Sequence, residues 1–317
     1  MIVFHDPADV PAGFGPSVIA IGKFDGVHAG HRALIERARV DAAPTGAAVV
    51  AVTFDRNPLR TLRPEICPDD LVGATQKLQL LEEAGVDATL MLRFDSELAG
   101  IPAAEFVERF LVQALGARTV LVGRDFRFGR GGAGDPQLLA DMGATLGFRV
   151  DAVDDIRSID SERRVSSTWI RELLSAGEVE AAGRLLGRPH AVWGEVVHGL
   201  KRGRELGFPT ANLSQELEGY VPADGIYAGW LIDEGERLRP GTRYPAAISV
   251  GTNPTFDDVP QRQVEAYVLD ETDLDLYGHR VEVQFTARIR GMVAFDGIDA
   301  LKVQMADDVS RVRTSLS

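Results

Sequence analysis

A single cysteine, Cys67, stands among 317 residues, which excludes an intrachain disulfide and fits a reducing compartment. Long apolar runs are missing too. No stretch approaches the roughly 20 residues that a bilayer-crossing helix needs. The opening residues, MIVFHDPADVPAG, carry neither a basic flank nor an extended apolar core, so a cytoplasmic protein without a membrane partner is expected. Basic charge is in deficit: 34 Lys and Arg face 47 Asp and Glu, a formal net charge of −13. Such a surface repels polyphosphate backbones and anionic lipid, so no nucleic-acid partner is expected. A single nucleotide stays open, because backbone N–H groups, Mg2+ and a few local cations can hold one. Histidine is sparse, six in all, and with one cysteine a structural zinc site is not expected.

What is present is an ordinary globular composition, 45% hydrophobic and 26% charged, over a length that suits two domains. The chain is organised around Ser17–His31, SVIAIGKFDGVHAGH. Val18–Ile21 reads as a buried parallel strand and Gly22–Gly30 as a glycine-punctuated turn. From His31 the pattern is helical, with Leu34, Ile35, Ala38 and Ala42 near one face. Strand, glycine turn and helix form a phosphate site: glycine admits the anion to the backbone, and the helix start offers N–H groups and a positive dipole end. The loop is neither a Walker A sequence nor G-x-G-x-x-G. It carries His28 and His31, two imidazoles that can both point at one anion and steady a departing pyrophosphate. Either histidine alone would read as a polar surface residue.

Further strands are expected over Ala47–Phe54, Asp87–Phe94, Arg118–Gly123 and Phe148–Val153. Helices are expected over Gln76–Ala84, Pro102–Gly116 and Asp135–Gly147. The alternation implies a doubly wound, mainly parallel sheet. Two strands empty into informative loops. Asp55-Arg56-Asn57-Pro58 follows one, at the end where open sheets bind ligands. The other gives Gly123-Arg124-Asp125-Phe126-Arg127-Phe128-Gly129-Arg130, where arginines alternate with aromatics. This is either a flexible basic loop or a site for a planar ring beside phosphates, with Phe126 and Phe128 as walls. Next comes Arg164-Val165-Ser166-Ser167-Thr168-Trp169-Ile170-Arg171. Capping a helix, worth about 1 kcal/mol, accounts for Ser166 or Ser167 but not for Arg171 one turn in. Two short helices run to Leu186, and Gly187-Arg188-Pro189 breaks the pattern. The domains are therefore drawn as 1–187 and 188–317.

The second half turns to short β-rich runs: Ala191–Val197, Tyr227–Ile232, Ala246–Val250 and Val264–Leu269. Val281, Val283, Phe285, Ala287 and Ile289 alternate with polar residues, the period of a half-buried strand. Together these suggest a small antiparallel barrel, with Ile298–Leu316 as an amphipathic helix packed on it by Leu301, Met305, Val309 and Val312. Gly199-Leu200-Lys201-Arg202-Gly203-Arg204-Glu205-Leu206-Gly207-Phe208-Pro209-Thr210-Ala211-Asn212 is a solvated hairpin or a phosphate flap. If extended, it puts the hard oxygens of Thr210 and Asn212 on one side, where they suit Mg2+. Glu265, a carboxylate in an apolar strand, faces solvent or serves as a base.

GKFDGVHAGH resembles the HxGH motif of the nucleotidyltransferases, and more narrowly the prokaryotic bifunctional riboflavin kinase/FMN adenylyltransferases. RVSSTWIR resembles their ISSTxIR signature, and the segment ending PTAN resembles the riboflavin kinase loop. Val264–Asp270 with Asp275-Leu276-Tyr277-Gly278 resembles the kinase pattern V-E-x-x-x-L-D…D-L-Y-G. The resemblance covers nearly the whole chain. It implies an α/β nucleotidyltransferase-type domain followed by a β-barrel kinase domain, and a riboflavin-to-FMN-to-FAD sequence using ATP and Mg2+. In the adenylyltransferase it puts ATP on Gly22, Phe24, Asp25, Gly26, His28, His31, Ser167, Thr168 and Arg171. It puts flavin by Asp125, Phe126 and Arg164. In the kinase it puts ATP on Gly199, Lys201, Gly203, Gly207, Pro209, Thr210 and Asn212, with Thr210 and Asn212 holding the metal. Flavin would lie by Asp224, Gly225 and Tyr227, and Gly251–Phe256 also match the family at the flavin and nucleotide pocket. Glu265 is the implied base. Departures are Arg56 and Asn57, where the family usually reads Pro-His, and Asp125, where many members have Asn. A monofunctional riboflavin kinase, a phosphopantetheine-type transferase and a non-catalytic flavin binder are the rival readings. Weak self-association is left open.

Overall fold

The structure, a computed structural model, describes residues 1–158, 162–199, 207–236, 243–251, 262–271 and 274–317. It divides into two compact units, Met1–Ser167 and Thr168–Ser317. The helices Ser167–Ala176 and Val179–Leu186 thus fall almost wholly in the second unit, whereas the sequence pattern draws the join after them, at Gly187.

The first unit is built on six parallel strands: β1 (Ile2–Phe4), β2 (Ser17–Ile21), β3 (Ala48–Phe54), β4 (Ala88–Leu92), β5 (Ala117–Gly123) and β6 (Arg149–Val153). Their order is β1-β4-β3-β2-β5-β6. All five residues of β2 are buried. Its alternate side chains feed two cores, as the twofold repeat of a strand requires. Val18 and Ala20 pack with Leu34, Ile35 and Ala38 of the helix Ala29–Ala42. Ile19 and Ile21 join Phe106, Phe110, Leu111 and Leu139 on the other face. The strand order reverses between β2 and β5, so the loops leaving these two strands flank the crevice where such sheets take ligands.

Two features depart from the pattern. β1 is an edge strand of three residues paired with β4, too short to show a period. The expected helix from Pro102 makes one α-turn, Ala103–Phe106, and then widens into a π-helix, Val107–Ala114. Phe106 and Phe110 stack there, with ring centroids 5.0 Å apart.

In the second unit β7 (His190–Val197), β8 (Thr210–Leu213), β9 (Gly225–Asp233), β10 (Arg243–Gly251), β11 (Gln263–Val268) and β12 (Arg280–Arg290) close into a barrel in the order β10-β11-β8-β7-β12-β9. Every pair is antiparallel. Val264, Ala266 and Val268 of β11 are buried, while Glu265 and Tyr267 between them belong to the half-buried outer face. The helix Ile298–Leu316 covers part of that face. Val309 and Val312 pack with Ala228 and Leu269, and Phe208, Ala247 and Tyr267 border them. Asp308 accepts a forked pair of bonds from Arg290 Nε at 2.9 Å and Nη2 at 2.7 Å, pinning the helix to β12. No helix of the described residues is long and apolar enough to cross a membrane.

Candidate functional sites

The loop leaving β2 is held in an uncommon backbone conformation. Phe24, Gly26 and Val27 all have positive φ, at 48°, 85° and 40°. For a β-branched residue such as Val27 this is strained, and the surroundings must impose it. They do so by burial, since the Phe24 and Val27 side chains are wholly enclosed beneath the loop. Phe24 can therefore meet a ligand only through its backbone. The Asp25 carboxylate accepts from Leu71 N at 2.8 Å, and its carbonyl accepts from Ser167 Oγ at 2.8 Å. Asp25 thus shapes the loop, and Ser167 is tied to it. Gly22 N donates to Val52 O at 3.1 Å, seating the loop's first residue on β3.

His28 occupies the N-cap of the helix Ala29–Ala42 in extended conformation and makes no side-chain cap bond. Its ring stacks on that of His31, with centroids 3.7 Å apart and planes 17° apart. The two imidazoles are one face-to-face unit at a positive helix end. Gly30 leaves room for this stack, because a Cβ there would lie 3.2 Å from the His28 ring and press on it. Sequence reasoning missed Lys77. This buried lysine donates from Nζ to Phe54 O at 2.8 Å. Burial pushes its ammonium below the usual lysine range, against the pull of Asp25, Asp70 and Asp55. Its spacing to Leu80 and Leu81 would have placed it on the helix's apolar face.

The loop departures have definite places. Burial opposes the charge on Asp55. Bonds from Arg56 and Phe94 N, with the Arg56 and Lys77 charges, outweigh it and hold the carboxyl below its usual range. Arg56 is therefore folded onto Asp55, and Asn57 Oδ1 accepts from Leu59 N at 3.1 Å. After β5, Asp125 accepts from Arg164 Nη1 at 2.8 Å, and Arg164 Nε lies 3.0 Å from Asp155. The Arg164 bond, with the charges of Arg164 and Lys23, holds the Asp125 carboxyl low against partial burial. Phe126 is half-buried and stacks on the buried Phe128 at 5.4 Å. Arg124 and Arg127 pair with Asp154 and Asp135, so neither is a bare cation awaiting phosphate.

Thr168 and Arg171 lie in the first turns of the helix Ser167–Ala176 and belong to the second unit, Thr168 exposed and Arg171 half-buried.

On the barrel, register assembles the second set. Glu265 of β11 stands directly opposite Asn212 of β8, and Tyr267 opposite Thr210. Opposed residues of an antiparallel pair share a face, so Glu265, Thr210 and Asn212 converge on the outer one. Burial pushes the Glu265 carboxyl up, and a bond with the Thr210 side chain offsets part of the rise. Asn212 Nδ2 donates to Thr210 O at 3.1 Å. Gly199 packs on the Asn212 amide so closely that a Cβ would come within 2.5 Å. Gly207 takes a left-handed φ of 90°, and Pro209 leads into β8. Lys201, Gly203 and Thr252–Phe256 lie outside the described residues. Thr210 and Asn212 offer neutral oxygens beside a carboxylate, a donor set that fits Mg2+ and leaves positions for phosphate oxygens and water.

Asp224 and Gly225 stand at the start of β9. The Asp224 carboxylate accepts from Arg262 Nε, and Gly251 packs against it. Tyr227 follows on the same strand. It is wholly buried inside the barrel, edge-on to Phe285 at 5.4 Å, with its hydroxyl donating to Ala223 O. It supports the loop from behind.

Comparison with known proteins follows this division. The FAD synthetase family model matches residues 12–169, and the riboflavin kinase family model matches residues 186–316. A bifunctional riboflavin kinase/FMN adenylyltransferase of Escherichia coli K12 is 37% identical over 92% of this chain and 90% of its own. That of Pseudomonas fluorescens is 38% identical over 93% and 92%. The chain belongs to the bifunctional riboflavin kinase/FMN adenylyltransferase family. A solved structure described as a macrolide-efflux protein from Streptococcus pneumoniae is also similar, with a TM-score of 0.83, 31% identity and 98% of each chain covered. Together these account for a parallel α/β unit and a closed antiparallel barrel on one chain.

Proposed function

We propose that the chain makes FAD from riboflavin in two ATP-dependent steps, the barrel phosphorylating riboflavin to FMN and the α/β unit adenylylating FMN to FAD with release of pyrophosphate. The observation that carries the kinase half is the convergence of Glu265, Thr210 and Asn212 on one face of β8 and β11. Glu265, with its carboxyl raised by burial, is suited to accept the proton of the riboflavin 5′-hydroxyl as that oxygen attacks the γ-phosphate of ATP. Thr210 and Asn212 would hold Mg2+, which neutralises phosphate charge when bound. Gly199, Lys201, Gly203, Gly207 and Pro209 belong to the loop over ATP, and Asp224 and Gly225 to the flavin side.

In the α/β unit the stacked His28 and His31 face the phosphate loop at a helix N-terminus. From there they can donate to phosphate oxygens and spread the charge that develops as pyrophosphate leaves. Gly22, Phe24, Asp25 and Gly26 present backbone to ATP. Ser167, whose hydroxyl is tied to the Asp25 carbonyl, completes its phosphate contacts within this unit. Asp125, Phe126 and Arg164 border the flavin, with Phe126 as the stacking surface. No covalent intermediate is needed, because positioning and charge stabilisation suffice. A phosphopantetheine-type transferase leaves the Glu265 face without a role, and a non-catalytic binder leaves both catalytic sets without one. A cytoplasmic location fits the use of ATP and the single cysteine.

The test is a chromatographic time course of the purified protein with ATP and Mg2+, started once from riboflavin and once from FMN. FMN followed by FAD in the first run, and FAD in the second, is the expected result. FMN without FAD would remove the adenylyltransferase half, and no turnover in either run would leave a binding protein.

A further inference from the structure

Arg288, on β12, is a residue that neither the sequence motifs nor the mechanism above uses. Its guanidinium reaches two backbone carbonyls of different elements. Nη1 donates to Ala176 O, at the end of the helix Ser167–Ala176, at 2.8 Å. Nη2 donates to Asp224 O at 2.9 Å. Its own backbone N–H donates to Glu180 Oε1 at 3.1 Å. The passage it occupies is cut by two glycines. A Cβ on Gly177 would strike the guanidinium at 2.5 Å, and one on Gly225 would approach Nε at 3.2 Å. Asp224 is thereby fixed from both ends, its carbonyl by Arg288 and its carboxylate by Arg262. The same segment is held a third time by Ala223 N donating to Leu174 O at 2.9 Å.

We propose that Arg288 is a positioning residue of the kinase, setting the backbone of Asp224 and Gly225 so that this pair can receive riboflavin. The proposal rests on the reading that Asp224 lies on the flavin side. A planar fork that bridges two carbonyls has no equivalent in lysine, whose ammonium is a point donor on a flexible stem. Hydrogen bonds to a charged group lost from a half-buried place release the segment they hold. The effect belongs to riboflavin binding and not to phosphoryl transfer, because Arg288 reaches Asp224 and not Glu265.

The experiment is steady-state kinetics of full-length Arg288→Ala, Arg288→Lys, Asp224→Ala and the Arg288→Ala/Asp224→Ala double variant. Each is run with riboflavin and ATP varied separately, and a thermal melt is recorded for each. The expected result is a rise of about tenfold in riboflavin KM for Arg288→Ala, with kcat and the ATP KM near wild type and only partial rescue by lysine. Asp224→Ala keeps the carbonyl that Arg288 holds, so Arg288→Ala should raise the riboflavin KM in that background by about the same factor. A lowered melting temperature with unchanged riboflavin KM would make Arg288 merely structural and overturn the proposal. An unchanged riboflavin KM for Arg288→Ala at an unchanged melting temperature would also overturn it, by showing that the carbonyl bonds do not set the flavin side. An unchanged riboflavin KM in Asp224→Ala would instead sink the flavin-side reading, so the two failures are told apart.

Discussion

Glu265 is the residue on which the proposed kinase chemistry turns. In sequence it is a carboxylate between apolar neighbours, equally readable as a solvent-facing strand position. Register brings Thr210 and Asn212 to the same face, and burial lifts its carboxyl above the ordinary range, two observations that favour the base. Glu265→Gln keeps the shape and removes the base. FMN formation should fall by a factor of about 100 to 10,000 while FMN-to-FAD conversion is kept. In the wild type, kinase rate should drop as pH falls through a value above the ordinary 4.5 of a glutamate, because protonation removes the acceptor. A pH profile of kcat with no acid limb in that region would deny Glu265 the role. His28→Ala should do the reverse, costing FAD formation roughly 100-fold and sparing FMN formation. Loss of both activities from either change in a folded protein would break the division of labour. Side-chain directions stayed unread at this scale where a strand or helix face was not counted. Tyr227 shares parity with Gly225, Gly229 and Leu231, all buried in β9, so alternation alone would have turned it inward. A ligand motif names a position and not a direction.

At the scale of elements, the long periodic segments were legible. The central strand Ser17–Ile21 and the alternating strand Arg280–Arg290 stand where their patterns put them, and the terminal helix runs over Ile298–Leu316 as expected. Shorter pieces were not legible. β1 has three residues, β8 has four behind a glycine-rich loop, and nothing in Pro102–Gly116 announces a π-helix. The pin on the terminal helix was likewise hidden, because Arg290 and Asp308 are distant in sequence and each looks like a surface charge. In the structure their side chains are only 16% and 5% exposed. Removing one partner strands the other, so Asp308→Ala should cost about 3–5 kcal/mol of barrel stability by urea titration. A double change to Arg290→Met/Asp308→Leu should recover much of that loss. A cost under about 1 kcal/mol for the single change would reduce the pair to a surface contact.

Across the whole molecule, each unit has its own core, so two unfolding transitions are expected, and acid should separate them. The lever is His190 on β7, which is buried, with Nε2 2.6 Å from Tyr220 O. Burial is the main cause that depresses its pKa from 6.5 to about 4. Above 6.5 the ring is neutral whether folded or unfolded, and its contribution is intact. Between 6.5 and 4 the unfolded chain takes up a proton that the folded barrel refuses, so stability is lost as pH falls. At about 1.4 kcal/mol per pH unit the total loss is roughly 3.5 kcal/mol. Glu265 works in the opposite sense within the same unit, since its raised carboxyl is relieved by protonation, and a Glu265→Gln background removes that offset. In the α/β unit the depressed carboxyls of Asp55 and Asp125 lose their contribution only as pH falls below the ordinary range near 3.8. Between pH 6.5 and 4, therefore, calorimetry in that background should show the barrel transition moving to lower temperature ahead of the other. His190→Gln, which keeps a donor for Tyr220 O and cannot titrate, should hold the barrel transition level over the same window. A barrel transition that falls equally with and without the histidine would place the acid sensitivity elsewhere.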